Sequence, residues 1–319
     1  MKRKISLVIV SILVISIKTL CQKLPTMFVP KTIAENRISQ FTSGTTSKYQ
    51  QLKVKLANLN ASFMYTNAEM NMLLSKIVSA DGLRIYFAIY NDCIPYTLPS
   101  GVKKNKIILL FSPGYQDSKP DEEKFFFIDE NDNKDSVYQI DNMDCIRQWT
   151  TNYYSDVIQN ILRKRLIPND PDNVDQSIPD KYFDTKSIFY QKDFLKEAIT
   201  TEQTYTHVLK TGQKVNIDYF KFSIASFDNV GQFPPDASGH RWRNRLLLNI
   251  DYMYKTGTQK NVFHFEDLIN FDDRLNQSLA SKSNFSDKQL EKLSRKEKLK
   301  ILRENSLDNG QLCPTYCPK

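Results

Sequence analysis

Five cysteines and three histidines are the residues of this 319-residue chain best suited to covalent or metal chemistry. The cysteines are Cys21, Cys93, Cys145, Cys313 and Cys317. If an N-terminal segment is removed after Cys21, four remain. An even number in an exported chain favours disulfides, with three pairings open. A Cys313–Cys317 ring forms easily and contributes about 2 kcal/mol by chain entropy, whereas a Cys93–Cys145 bridge closes a long loop and contributes about 4 kcal/mol. The alternative is four free, partly buried thiols. Cys-Pro-Thr-Tyr-Cys has three residues between its sulfurs, one more than the usual redox motif, and has no histidine nearby to complete a zinc site.

The histidines, His207, His240 and His264, stand apart, so no His-x-x-x-His metal face exists. No metal or cofactor is expected. His264-Phe265-Glu266 on a strand would put an acid and a base on one face; a surface pair is the plainer reading. The segment Ser238-Gly239-His240-Arg241-Trp242-Arg243 is the best binding candidate. Its His240, Arg241, Trp242 and Arg243 suit contact with an anion or a sugar, against the simpler picture of Trp242 in the core with arginines in solvent. Asp129-Glu130-Asn131-Asp132-Asn133 begins like a calcium loop, but Lys134 stands where Gly is wanted and Ile140 where the closing Glu would be. Asp170, Asp172, Asn173 and Asp175 read as turn residues. No G-x-S-x-G, H-E-x-x-H or Walker loop occurs. Asn60, Asn276 and Asn284 begin N-x-S sequons, meaningful only in a eukaryotic secretory route.

The elements that must position these residues are legible in part. Residues 22–48 read as a loosely structured lead-in and 48–59 as a short helix. Thr66 and Glu69 form a capping-box pattern, followed by Met70, Leu73, Leu74, Ile77 and Val78 on one helical face, with Asp81-Gly82 as the exit. Leu83, Ile85, Phe87 and Ile89 alternate with Arg84, Tyr86, Ala88 and Tyr90, which predicts a strand with one buried and one wet face. Strands are expected at 106–111, ended by Pro113-Gly114, and at 124–128 and 137–140. Helices are expected near 144–166 and 189–199. Residues 204–209 and 214–225 read as a hairpin about Gly212, and 245–254 are ambiguous. A second capping box, Ser286 and Gln289, opens a polar helix to about 304.

Lys2-Arg3-Lys4 and the uncharged run Ile5–Ile17 read as a signal peptide. As a helix the run spans about 20 Å, short of a bilayer core of about 30 Å. A membrane anchor would need an uncleaved signal or, as the minority reading, a lipidated Cys21. The chain carries 44 Lys+Arg against 36 Asp+Glu. Four of the bases lie in residues 1–21, and residues 282–304 hold eight bases against four acids. Residues 22–281 therefore balance, and a nucleic-acid groove is not expected.

Ala61-Ser62-Phe63, Glu69, Asp81-Gly82-Leu83-Arg84-Ile85-Tyr86-Phe87-Ala88 and Ile107–Phe111, with Gly310, Cys313-Pro314 and Cys317 at the end, resemble a family of uncharacterised exported proteins from Bacteroidetes-type bacteria. The resemblance covers about a fifth of the chain. It implies provenance and a structural core unit, not a reaction.

The expected architecture is α+β: a helix packed on a small, mainly antiparallel sheet, with a second mixed α/β region. The divisions are a signal peptide (1–21), an N-terminal α+β unit (22–166), an Asp/Pro-rich loop or linker (167–181) and a second α+β region (182–319). The expected function is an exported envelope or secreted module that binds a protein or a surface glycan. The alternative is a carboxylate-dependent hydrolase, which would need two carboxylates about 5–10 Å apart in a pocket.

Overall fold

The computed structural model describes residues 23–25, 28–43, 48–56, 59–93, 98, 102–115, 124–129, 137–155, 187–226, 246–282 and 285–306. The signal segment with Cys21, the loop 167–181, the segment His240–Arg243 and the tail with Cys313 and Cys317 lie outside these residues.

The chain is α+β with antiparallel sheets. Two helices come first, α1 (Lys31–Thr42) and α2 (Lys48–Lys55). The expected loose lead-in is thus partly helical. Pro30 starts α1, its fixed φ and lack of an N–H costing nothing at a helix start. Strand β1 (Ser62–Thr66) runs straight into α3 (Asn67–Lys76). The expected capping box closes that junction: Glu69 N–H donates to Thr66 Oγ1 (3.1 Å) and Thr66 N–H to Glu69 Oε2 (2.7 Å). Met70, Leu73 and Ile77 are buried as the period requires, but Val78 is 68% exposed, because the helix ends before it.

Strands β2 (Gly82–Tyr90) and β3 (Lys106–Gly114) pair along their whole length. β3 runs three residues past the expected end at Phe111 and stops at Gly114, so Pro113-Gly114 form its last paired residues. β4 (Phe125–Ile128) and β5 (Val137–Ile140) extend the sheet on one side. Helix α4 (Met143–Asn152) follows. Residues expected to begin a helix near 189 instead form strand β6 (Ser187–Gln191), which pairs with β2. α5 (Lys192–Lys196) and a wider π-type turn (Glu197–Thr201) come after it. The order of this sheet is β5-β4-β3-β2-β6.

Gly82 and Gly114 face each other across β2 and β3 because the Phe189 ring of β6 lies on them. A Cβ at Gly114 would sit 2.6 Å from that ring, and one at Gly82 2.2 Å from the Tyr190 carbonyl oxygen.

A short hairpin, β7 (His207–Val208) and β8 (Lys214–Val215), leads to β9 (Tyr219–Ser226). β10 (Leu246–Thr256) resolves the ambiguous segment as strand, and β11 (Gln259–Phe263) completes the order β1-β9-β10-β11. A 3-10 turn (Phe265–Asp267) precedes helix α6 (Phe271–Lys282). The expected C-terminal helix is two, α7 (Asp287–Lys292) and α8 (Arg295–Ser306), split at Leu293-Ser294.

The main core joins the two sheets. Tyr65 lies 5.7 Å from Phe111 and 5.4 Å from Phe222, ring to ring, and these two are 6.5 Å apart, all near edge-to-face. The Tyr190 hydroxyl donates to the Leu248 carbonyl oxygen between the sheets (3.2 Å). β1 and β6 each pair with strands from the other side of segment 167–181. A second core lies on the outer face of the five-stranded sheet, where Ala88, Tyr90, Ile108, Leu110, Phe125 and Phe127 meet α4. That second layer overturns the expectation of a wet face on β2. The alternation Leu83/Arg84 is real, but both faces of the strand are covered.

Candidate functional site

Helix α4 stands on the outer face of the five-stranded sheet because its start is tied down. Asn142 caps it, its Oδ1 accepting from Asp144 N–H (3.1 Å) and Cys145 N–H (3.2 Å). Cys145, in the first turn, forms the disulfide with Cys93, just past the end of β2. One turn further, the Trp149 indole N–H donates to the Asn91 carbonyl oxygen (2.7 Å) and the ring meets Tyr90 edge-on at 5.3 Å. Of the three pairings left open by the sequence, the one that closes the long loop is present.

Beside these anchors, residues of α4 and of the sheet line a groove of about 240 Å³. Phe125 and Ile146 from the outer core and Phe87 and Tyr153 from the main core form its buried floor, with Phe87 stacked on Tyr153 at 5.4 Å. Tyr86 and Tyr154 are half-buried walls, and Tyr86 meets Phe125 at 5.4 Å. Arg147, Thr150 and Thr151 supply the polar rim, with Met143 closing one end. Arg147 Nη1 lies 3.2 Å from Asp144 Oδ1, an exposed pair of little energetic weight. The Thr150 hydroxyl donates back to the Ile146 carbonyl oxygen (2.8 Å), leaving its lone pairs to accept. None of the ten described residues that line it is a carboxylate. The groove is smaller than drug-sized sites of roughly 300–1,000 Å³, and fits one ring rather than a chain.

Two charged clusters lie elsewhere. Buried Arg274 on α6 reaches Glu202 Oε1 (2.8 Å) and donates twice to the Lys23 carbonyl oxygen, from Nη2 (2.7 Å) and Nε (3.2 Å). Its guanidinium lies 4.9 Å from the centre of the Phe265 ring. His207, also buried, has Nε2 3.1 Å from the Glu202 carbonyl oxygen and 3.7 Å from Glu202 Oε2. Burial raises the Glu202 carboxyl above its ordinary value against the opposing pull of Arg274. Burial pushes the His207 imidazole down to about 4, so the ring is neutral at pH 7. With Leu24 N–H bonded to Ser278 Oγ (2.8 Å), this cluster clamps the lead-in onto α6. Its groups are paired with one another and closed to solvent, with Arg274 Nη1 buried and left without a hydrogen-bond partner, which suits a structural tie.

The second cluster is on the four-stranded sheet. Asp251 accepts from Asn249 Nδ2 (2.8 Å) and Ser223 Oγ (3.4 Å). Burial raises its carboxyl, with Lys221 and His264 acting in the opposite sense. His264 is therefore near Asp251 in the fold. Glu266, its expected acid/base partner, instead accepts from the Lys31 N–H (2.7 Å) at the start of α1. Of the calcium candidates, Asp129 is buried and the others lie outside the described residues. Among the described residues no group of three His, Cys, Asp or Glu is placed to hold a metal ion.

Sequence reasoning named Cys93, Cys145 and Tyr86 but did not see the groove. Its floor comes from two strands and a helix spread over more than 60 residues, and no local spacing carries that. Compared with protein families, with curated proteins and with solved structures, the chain has no match.

Proposed function

We propose that this protein is an exported binding module that holds one ring of a surface glycan in the groove between α4 and the five-stranded sheet. The observation that carries this reading is the lining itself: half-buried Tyr86 and Tyr154 beside Arg147, Thr150 and Thr151. Aromatic faces take the apolar face of a sugar ring, and hydroxyls with a guanidinium take its oxygens. The Cys93–Cys145 bridge supports the placement outside the cytoplasm, since such bonds persist in oxidising compartments. It agrees with the Lys2-Arg3-Lys4 start and the apolar run behind it. An uncleaved signal or a lipidated Cys21 would put the same groove at a membrane surface.

The hydrolase alternative needs paired carboxylates. Among the described residues the groove lining offers none, and Glu202 and Asp251 are engaged elsewhere, which weighs for binding over hydrolysis. A glycan array probed with the mature protein, alongside Tyr86→Ala and Tyr154→Ala, tests the reading. Retention of a glycan ligand by wild type and its loss in both variants is expected. Binding unaffected by either substitution would remove the groove from the account.

A further inference from the structure

Two turns of nearly the same sequence lie side by side on the surface. Lys210-Thr211-Gly212-Gln213-Lys214 joins β7 to β8, and Lys255-Thr256-Gly257-Thr258-Gln259-Lys260 joins β10 to β11. Each turns on a glycine with positive φ, 82° at Gly212 and 60° at Gly257, a conformation that favours Gly. Thr256 Oγ1 ties them together, accepting from Gln213 Nε2 (3.2 Å) in the other turn and from Asn261 Nδ2 (3.3 Å). Every residue of both turns is exposed.

The result is a platform with four lysines and a fringe of hydroxyls and amides. Three of the lysines are held in place. Lys260 Nζ lies 4.4 Å and Lys255 Nζ 5.0 Å from the centre of the Tyr219 ring. Lys210 Nζ donates to the Glu266 carbonyl oxygen (2.6 Å), which occupies one of its three N–H donors. Ammonium groups already fixed lose less conformational freedom on binding. Half-buried Asp218 accepts from the Lys255 N–H (2.9 Å) and its charge acts on Lys255, and Asp267 is an exposed acid beside the platform. Residues 22–281 balance in charge, so this clustering is local.

We infer that the paired turns are a docking surface for an acidic polysaccharide, carrying sulfate or uronate groups along its length. Charge complementarity selects a polyanion. The Thr and Gln side chains match the hydroxyls of a sugar backbone. A lipid surface would call for apolar residues at the tips, and neither turn has one. A single-stranded nucleic acid would call for an open aromatic face, and the Tyr219 ring is occupied by two lysines. The surface involves no residue of the α4 groove.

Heparin titrated into the mature protein at near-physiological salt is the test, with four variants. Lys210→Gln with Lys214→Gln, and Lys255→Gln with Lys260→Gln, should each weaken binding by at least about fivefold, and the fourfold variant should abolish it. Tyr154→Ala, in the groove, should leave heparin affinity unchanged. These surface substitutions should not move the melting transition. The inference falls if wild type does not bind heparin, if the fourfold variant binds as wild type does, or if Tyr154→Ala weakens heparin as much as the lysine pairs do. It also falls if phosphatidylglycerol vesicles or duplex DNA bind as tightly as heparin.

Discussion

Arg84 and Phe189 stand opposite each other across the β2–β6 pair, the guanidinium 5.6 Å from the centre of the ring. Arg84 is only 8% exposed. Its strand face, wet by the expected alternation, is a covered layer, and Arg84 contributes packing and a cation–π contact there. Arg84→Ala should therefore lower stability by about 2–3 kcal/mol, against about 3–5 kcal/mol for Phe87→Ala in the main core. Urea unfolding of the two variants measures both. A loss below about 1 kcal/mol for Arg84→Ala would mean that its face is effectively solvated.

That pair also shows where sequence reading stops. The α3 cap and the strands β2 and β3 are local patterns, and residues 66–90 carry them openly. Whether a strand has one face buried or two depends on what lies above it, here α4 and the disulfide, and no alternation records that. The helix expected near 189–199 is present from Lys192, and its first residues are strand because Ser187–Gln191 is too short to show a period and is strand only by pairing with β2. Glu202, His207 and Arg274 meet from three elements, so their cluster has no signature in spacing.

The buried tie on α6 and the Asp251 cluster make two predictions of opposite sign in pH. His207 binds its proton near pH 4 when folded and near 6.5 when unfolded, so its contribution is present above that range and is lost as pH falls from about 6.5 to 4. Glu202 and Asp251, both raised, favour the folded state at low pH and lose that contribution as pH rises through their folded values. His207→Gln should flatten the acid side of the stability curve by up to about 3 kcal/mol. Denaturant midpoints from pH 4 to 7 decide it; parallel curves for variant and wild type would show that His207 titrates normally.

Arg274→Ala leaves Glu202 buried without its cation and the Lys23 carbonyl without its donors. A loss of about 3–5 kcal/mol is expected, with the lead-in released. Proteolysis should then cut near residues 23–30 before it cuts the core. Equal protease resistance in wild type and variant would show that the clamp does not hold the lead-in.

The C-terminal helices are docked rather than protruding. Leu290 and Leu302 are buried in the main core, with Leu293, Leu299 and Ile301 against it. Truncation before Ser286 should cost at least about 3 kcal/mol from those two leucines alone. A truncated chain melting with the full one would put these helices outside the cooperative unit.

Reduction of Cys93–Cys145 frees the start of α4. On the chain-entropy model the bond contributes about 4 kcal/mol, and its loss should lower the melting temperature in the presence of a dithiol. Glycan binding should weaken too, because α4 and the turn after it supply most of the groove lining. Unchanged binding after full reduction would detach the groove from the disulfide.

The central claim is that the groove between α4 and the sheet is where a ligand sits. The most direct measurement is chemical-shift mapping of the mature protein with the glycan it retains. The account predicts shifts confined to Tyr86, Met143, Ile146, Arg147, Thr150, Thr151 and Tyr154 at low saturation. Shifts elsewhere with those seven silent would contradict it.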